Sequence, residues 1–230
     1  DVDTVTAPTL ADYDVVLLGE IALTPTQVGL ISNWVEAGGN LVAFRPDKQL
    51  AGLLGLTDAG ATLSEGYLLV HTTNAPARGI VDETIQFHGT ADLYNPAGAT
   101  VVATLYTNAS NGSPYPAVTT HAVGTNGGQA AAFTFDLPRS IVLTRQGNPA
   151  WADQERDGVS PIRSDDLFFG NAGFDPQPDW VDLTKIAIPQ ADEQQRLLAN
   201  LILSMNEDRT PLPRFWYFPN GHRAVVVMTG

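Results

Sequence analysis

The chain has 230 residues, no cysteine and a formal net charge of −13. Hydrophobic residues make up 43% of the sequence, which predicts a folded protein with a sizeable core rather than a disordered one. The lack of cysteine excludes disulfides, thiolate metal sites and a cysteine nucleophile. The acidic balance argues against a nucleic-acid partner because phosphates would be repelled, and no apolar run approaches the roughly 20 residues of a membrane span.

The first part of the chain predicts a βαβ unit. Residues 13–19 (YDVVLLG) form an almost continuous apolar run, which is typical of a strand buried on both faces. Residues 24–27 (TPTQ) have the pattern of a capping box, and the helix that follows should end at the glycines 38–39. Residues 40–44 predict the next strand and residues 49–54 a short helix. Two strands joined by a helix should pair in parallel.

The middle of the chain predicts a β-rich extension over residues 62–143. Asn126-Gly127-Gly128 between two apolar runs is a hairpin signal, and residues 108–116 (NASNGSPYP) predict a turn-rich loop without core residues. The runs expected to be strands are 67–71, 84–88, 100–106, 117–123 and 129–136.

The last third predicts a long irregular loop at about 144–190 and then a helix over residues 191–205. Residues 211–230 are predicted to be a linker and the start of a truncated following domain, so that the main domain covers residues 1–210. The alternative is that the strand-like run 223–228 (RAVVVM) belongs to this same domain.

Three segments carry a resemblance to a known family: YDVVLLGE (13–20), WVEAGGNLVAF (34–44) and PAVTTHAVGTNGGQAAAFTFDL (116–137). Together they resemble the class I glutamine amidotransferase-like fold, and in particular the non-catalytic version in the trimerisation domain of some β-galactosidases. The resemblance implies an α/β fold: a three-layer, flavodoxin-like parallel sheet with flanking helices and a β-rich insertion.

The sequence departs from this family at the nucleophile. Active members present a Gly-x-Cys-x-Gly elbow directly after a strand, whereas residues 43–49 here are AFRPDKQ. We call residues 43–49 the elbow. Without a cysteine there, ammonia release from glutamine by this route is excluded. Arg45 and Lys48 in the elbow are candidates for binding an anionic ligand or for a structural ion pair, and we favour the ion pair.

The last nine residues, HRAVVVMTG (222–230), resemble the first strand of a NodB-type polysaccharide deacetylase domain. That resemblance implies a larger, secreted, carbohydrate-active bacterial parent of which this chain is an N-terminal accessory part. Any deacetylase active site would then lie beyond residue 230. Extracellular placement is further favoured by the scarcity of lysine and the absence of cysteine.

Acidic residues cluster between positions 153 and 166. Asp153, Glu155 and Asp157 alternate and precede a glycine, as in calcium loops, but position twelve of the pattern is Ser164 and not the usual glutamate. Calcium is therefore one interpretation and a solvated acidic loop the other. Asp165 and Asp166 are candidate ligand-binding acids, although a loop held by ion pairs is the simpler explanation.

Two further residues are candidate ligand contacts. Trp151 lies in the irregular loop and could stack on a sugar ring, or it could cover the core. His88 ends a predicted strand beside a glycine, and a hydrogen-bonded structural histidine is the alternative. A carbohydrate is therefore a candidate partner.

The sequence supports one leading hypothesis and two alternatives. The first is a non-catalytic accessory domain that binds or assembles within a larger carbohydrate-active protein. The second is a carbohydrate-active hydrolase or deacetylase that uses the acids of the 153–166 loop, and the third is an oligomerisation domain.

Overall fold

The computed structural model describes residues 2–73, 75–156, 158, 160–167, 185 and 187–207, with the backbone alone for Asp165. The predicted strand 223–228 and the resemblance at residues 222–230 lie outside these residues. Within the described part of the chain, no helix combines the length and the apolar character needed to cross a bilayer.

Four α-helices and nine strands make up the described structure. The helices are α1 (Ala7–Ala11), α2 (Pro25–Glu36), α3 (Leu137–Gln146) and α4 (Gln190–Met205). The strands are β1 (Val15–Leu18), β2 (Asn40–Phe44), β3 (Leu56–Ser64), β4 (Tyr67–Val70), β5 (Ile85–Gln86), β6 (Thr90–Pro96), β7 (Thr100–Tyr106), β8 (Gly112–Val123) and β9 (Gly128–Phe133).

Seven strands form one mixed sheet in the order β1-β2-β9-β8-β7-β4-β5. The predicted α/β class is confirmed, and β1 and β2 pair in parallel as expected. The sheet is not the expected three-layer, flavodoxin-like parallel sheet. Among the described strands, β9 is the only further parallel one, and β4, β5, β7 and β8 pair antiparallel. Short hairpin connections, such as the predicted turn at residues 126–128, force this antiparallel pairing.

Helices cover both faces of the parallel part of the sheet. Alternate residues of β2 point to opposite sides, so that Leu41 packs with Ile31 and Val35 of α2. Val42 belongs to a second core with Leu197 of α4 and other residues of α3 and α4. The strand alternation thus divides the apolar residues between two cores.

The predicted capping box of α2 is confirmed. The backbone N–H of Gln27 donates to Thr24 Oγ1 at 3.3 Å, and Gln27 Oε1 accepts from the backbone N–H of Thr24 at 2.8 Å. At the other end of α2, the start of β9 approaches closely: a Cβ on Gly128 would lie 1.9 Å from the carbonyl oxygen of Val35. Glycine at this position therefore lets the helix end reach the sheet.

The two edges of the seven-stranded sheet differ. At the β5 edge, the Gln86 N–H donates to Gln190 Oε1 at 2.6 Å, and the Gln86 carbonyl accepts from Gln194 Nε2 at 2.8 Å. Side chains of α4 thus occupy that edge. At the other edge, β1 pairs only with β2 among the described residues, and Leu17 is 48% exposed. The prediction that this strand is buried on both faces is wrong because β1 is an edge strand.

Other differences concern elements whose sequence signals are weak. The helix expected at residues 49–54 is a single 3-10 turn at Lys48–Leu50. The loop expected at 108–116 already contains the start of β8, and α3 begins inside the region expected to be β-rich. The antiparallel pair β3–β6 was not predicted, because β3 is largely exposed and carries almost no apolar alternation.

Candidate functional site

A cleft of about 400 Å³ opens at the carboxyl ends of β1 and β2. It contains part of the elbow, and we call it the elbow cleft. Ligands of open α/β sheets bind beyond the carboxyl ends of the strands, so this is the position at which a site is expected. The lining residues are Glu20, Ile21, Ala22, Arg45, Pro46, Asp47, Lys48 and Asp92.

Arg45 follows the last residue of β2 and adopts a left-handed backbone conformation, with φ of 39°. Its backbone N–H lies 2.8 Å from the carbonyl oxygen of Phe133 and 3.1 Å from that of Phe135. For a residue with a Cβ, such a conformation costs on the order of 1 kcal/mol. The bonds to the end of β9 hold the strained turn in place and direct the arginine into the cleft.

Two acids hold the guanidinium of Arg45. Nη1 donates to Glu20 Oε1 at 2.8 Å, and Nε donates to Asp92 Oδ2 at 3.2 Å. Nη2 donates to the other Asp92 oxygen at 3.4 Å. Asp92 is largely buried on β6, whereas Glu20 lies at the exposed rim after β1. The favoured structural ion pair at Arg45 is therefore present.

These contacts strengthen the positive charge of Arg45. Burial lowers the pKa of the Arg45 guanidinium, but the hydrogen bond and charge of Asp92, together with Glu20, outweigh burial and raise the pKa above its ordinary value. Arg45 is thus a fixed cation at every pH at which the protein folds.

The other two charged side chains of the elbow, Asp47 and Lys48, also form local contacts. Asp47 accepts from the backbone N–H of Leu23 at 2.8 Å and from that of Gln49 at 2.9 Å. Burial acts to raise the pKa of Asp47, but these hydrogen bonds hold it below its ordinary value. Lys48 Nζ donates to Asp58 Oδ2 at 2.9 Å, and that hydrogen bond raises the pKa of Lys48.

The charges of the elbow cleft disfavour an anionic ligand. Arg45 and Lys48 contribute two positive charges, and Glu20, Asp47 and Asp92 contribute three carboxylates, with Asp58 paired to Lys48. An anion would have to displace carboxylates that already neutralise both cations. Ligand contact by Arg45 stays a prediction.

The predicted calcium residues are only partly described. Asp153 is exposed and has φ of 61°, and Glu155 Oε1 accepts from the backbone N–H of Gly158 at 2.7 Å. Asp157 lies outside the described residues. Among those that are described, no three His, Asp or Glu residues come together as metal ligands, so calcium binding here stays a prediction.

Asp166 supports the backbone of the same loop. This buried carboxylate accepts from the backbone N–H of Arg156 through Oδ1 and from that of Arg163 through Oδ2, both at 2.7 Å. Each oxygen of Asp166 therefore already has a partner inside the protein. The side chain of Asp165 is not described, so its role as a ligand residue stays a prediction.

Trp151 and His88 do not line the elbow cleft. The guanidinium of Arg156 lies 4.1 Å from the ring centre of Trp151, so one face of the indole is covered. Trp151 borders a separate cavity of about 280 Å³ together with Ile162 and Arg163. His88 is buried, with Nδ1 3.4 Å from Glu65 Oε2. The structure therefore separates these residues from Arg45.

Two residues of the elbow cleft, Glu20 and Asp92, were not predicted from sequence. Glu20 has a signal in retrospect, because it follows the end of β1 where the carboxyl edge of the sheet must lie. Asp92 is on β6, a strand that was itself not predicted. Only the three-dimensional structure brings Asp92 to Arg45.

No protein-family model matches this chain, and no curated protein matches it. Among solved structures, similarity is found to the β-galactosidase from Bacillus circulans sp. alkalophilus, at 15% identity over 55% of this chain and 20% of that one, with a TM-score of 0.45. The β-galactosidase from Rahnella sp. R3 gives 21% identity over 53% and 20% of the two chains, with a TM-score of 0.42.

Cytoplasmic Protein STM3548 from Salmonella typhimurium is similar over a larger share of its own length: 16% identity over 59% of this chain and 67% of that one, with a TM-score of 0.46. In the two β-galactosidases, by contrast, the matched region spans about a fifth of the enzyme's own chain. Likeness at these levels does not establish a shared family or a shared activity.

Proposed function

We propose that this chain is a non-catalytic, amidotransferase-like accessory domain that serves binding or assembly. The observation that carries the proposal is Arg45 at the elbow, held by Glu20 and Asp92. A guanidinium stays protonated in proteins and has no lone pair available for attack. In the family that this sequence resembles, the nucleophile belongs to the elbow, whereas the elbow of this chain holds a fixed cation in structural contacts.

The same proposal covers the larger protein of which this chain would be a part. We infer a larger extracellular, carbohydrate-active protein in which residues 1–210 form the accessory domain and residues 211–230 a linker and the start of a deacetylase-like domain. The support is the quoted sequence segments, the lack of cysteine, and a lysine content of two residues in 230.

A direct test of the non-catalytic role is the release of product from carbohydrate substrates. The purified chain is incubated with acetylated and unmodified oligosaccharides, and acetate and reducing ends are measured. We expect no release above the buffer blank. Turnover that disappears in Asp153→Asn would instead support the hydrolase or deacetylase alternative, because that substitution removes only a loop carboxylate.

Binding is tested separately by thermal unfolding with soluble glycans, and with calcium against EDTA. A ligand present at about 100 times its dissociation constant adds roughly 2.7 kcal/mol to the free energy of unfolding, which raises Tm by several degrees. A glycan-dependent rise that Trp151→Ala removes supports a binding module. A calcium-dependent rise that Asp153→Asn removes places a metal in the 153–158 loop.

Assembly is favoured by a different observation: among the described residues β1 pairs only with β2, and Leu17 on this strand is exposed. Unpaired edge strands are templates for pairing with another chain, and natural proteins usually cover or charge them. Assembly through β1 would cover this edge. In a monomeric binding module the edge would stay open to unwanted pairing with other chains.

A further inference from the structure

The described part of the chain contains the dipeptide Asn-Gly twice, at Asn111-Gly112 and at Asn126-Gly127. A further Asn-Gly, at Asn220-Gly221, lies outside the described residues. An asparagine before a glycine is chemically labile, because the glycine nitrogen can reach the asparagine side-chain amide without a Cβ in the way. Both described pairs are exposed to solvent. The structure holds them differently, so the same dipeptide should not react at the same rate in both places.

The peptide group between Asn126 and Gly127 is free to turn. It lies in the turn 124–127 that joins β8 to β9, and Gly127 has φ of 82°. Among the described residues, neither the carbonyl of Asn126 nor the N–H of Gly127 forms a hydrogen bond. Reaction requires the glycine nitrogen to come within about 3–3.5 Å of the side-chain carbonyl carbon. No backbone hydrogen bond opposes the rotation that brings it there.

The peptide group between Asn111 and Gly112 is held in place. The carbonyl of Asn111 accepts from the backbone N–H of Thr107 at 2.9 Å and from Thr107 Oγ1 at 3.3 Å. Gly112 is the first residue of β8 and pairs with Tyr106 of β7. Rotation of this peptide group therefore breaks contacts on both of its sides. Each hydrogen bond that must break slows a reaction by about two- to tenfold.

We propose that Asn126 is a site of spontaneous deamidation in the folded protein. The nitrogen of Gly127 forms a bond to Cγ of Asn126 and gives up its proton, while the Cγ–Nδ2 bond breaks and Nδ2 leaves with that proton as ammonia. Water then opens the cyclic imide at one of its two carbonyls, which yields aspartate or isoaspartate. Nothing is oxidised or reduced, and water is the only co-reactant. This chemistry goes beyond the binding or assembly role proposed above and does not depend on it.

One contact of Asn126 opposes the reaction. Its Nδ2 donates to the carbonyl oxygen of Glu36, the last residue of α2, at 3.0 Å. This single bond slows the reaction less than the two bonds and the strand pairing that hold Asn111-Gly112. We therefore expect Asn126 to react at least about fivefold faster than Asn111 in the folded chain.

Conversion of Asn126 removes a contact between the β8–β9 turn and α2. A carboxylate has no N–H to donate to the carbonyl of Glu36, and its charge is unfavourable at the negative end of the helix dipole. The turn packs closely here, since a Cβ on Gly124 would lie 3.2 Å from the same carbonyl oxygen. Isoaspartate also adds a methylene to the backbone of the turn. The modified turn should therefore be held less firmly against α2.

Mass spectrometry of the whole chain after incubation in neutral buffer and digestion tests the site. Deamidation adds about 1 Da, and fragment ions assign the change to position 111, 126 or 220. We expect conversion at Asn126 to be at least about fivefold faster than at Asn111, and the two rates to become similar in urea. Equal or faster conversion at Asn111 in the folded chain overturns the proposal. So does an Asn126 that stays intact in the folded chain while the chain in urea reacts.

Thermal unfolding tests the structural consequence. Asn126→Asp has the charge of the product and should lower Tm by about 2–4 °C, whereas Asn111→Asp should change Tm little. Ageing should lower the Tm of the unmodified chain but not that of Asn126→Gln, which keeps an amide donor and would have to close a larger ring. An equal fall on ageing in these two proteins, or an unchanged Tm in Asn126→Asp, overturns the assigned role of Asn126 at the end of α2.

Discussion

The carboxylate of Asp92 binds the guanidinium of Arg45 through both of its oxygens. Nε of Arg45 lies 3.2 Å from one oxygen and Nη2 lies 3.4 Å from the other. This bidentate contact joins the end of β2 to β6, which belong to different sheets. Arg45 thus connects two parts of the fold.

Replacing Arg45 should destabilise the protein more than replacing its neighbour Lys48. In Arg45→Ala, the largely buried Asp92 loses its partner, and we expect a loss of about 2–4 kcal/mol in the free energy of unfolding. In Lys48→Ala, an exposed pair is lost and the cost should be under about 1 kcal/mol. Urea unfolding measures both variants, and equal losses would contradict a structural role for Arg45.

The stability of the elbow should depend on pH through Asp47. Its pKa is lower in the folded than in the unfolded state, so its stabilisation is present above the unfolded value of about 3.9 and is lost as the pH falls through the folded pKa. At pH 7, Asp47→Asn should be less stable by about 1–2 kcal/mol.

Urea unfolding of the unmodified chain and of Asp47→Asn, measured between pH 7 and pH 3, checks this. The two free energies of unfolding should converge as the pH falls below about 4, because the protonated carboxyl no longer has its charged hydrogen bonds. A gap between them that stays constant down to pH 3 would contradict the assigned role of Asp47.

The elements that sequence predicted best are those with local signals. The capping box at Thr24 and Gln27 and the end of α2 before glycines 38–39 are signalled by neighbouring residues, and both are present in the structure. The parallel order of β1 and β2 follows from the helix between them. The turn at residues 126–128 also indicated the antiparallel pairing of β8 with β9. The pairing of β4 with β7 joins segments far apart in the sequence, and the resemblance to a parallel sheet gave no sign of it.

The close approach of β9 to α2 should make Gly128 sensitive to any side chain. In Gly128→Ala the new Cβ would meet the Val35 carbonyl oxygen at 1.9 Å, and backbone cannot move aside as a flexible side chain does. We expect a loss of about 3 kcal/mol.

Gly29→Ala is the matched control for this effect. Gly29 lies inside α2, and a Cβ there meets nothing within 4 Å. The substitution should stabilise the protein by about 0.5–1 kcal/mol, because alanine favours helix more than glycine does. Thermal or urea unfolding of both variants measures the two changes in stability. Similar effects of the two substitutions would show that the contact at Gly128 is not tight.

Gln194 should be important for closing the β5 edge. Its Oε1 accepts from Ser140 Oγ at 2.9 Å, and its Nε2 donates to the Gln86 carbonyl at 2.8 Å. Gln194→Ala leaves both buried groups without this partner, and we expect a loss of about 1–3 kcal/mol. The exposed neighbour Gln195→Ala should change stability by under about 0.5 kcal/mol. Faster amide exchange at residues 85–86 in Gln194→Ala alone would confirm that the edge has opened.

The candidate site was predictable only in part. Arg45 and Lys48 follow a recognisable strand, and the ion pair favoured for Arg45 is present. Its main partner, Asp92, is 47 residues away on a strand with little sequence signal, so no local pattern reveals it. Asp166 shows the opposite case: its acidic neighbourhood looked like a ligand site, and the structure uses its oxygens to hold two backbone N–H groups.

The central proposal is that the elbow, which lacks a cysteine and holds Arg45 in structural contacts, is non-catalytic, and ammonia release from glutamine tests it most directly. The purified chain and Arg45→Ala are incubated with glutamine, and ammonia is followed by a coupled assay against a buffer blank. The account predicts that neither protein releases ammonia above the blank, because no thiol is present to form the thioester. Sustained release by the unmodified chain, abolished in Arg45→Ala, would contradict the account.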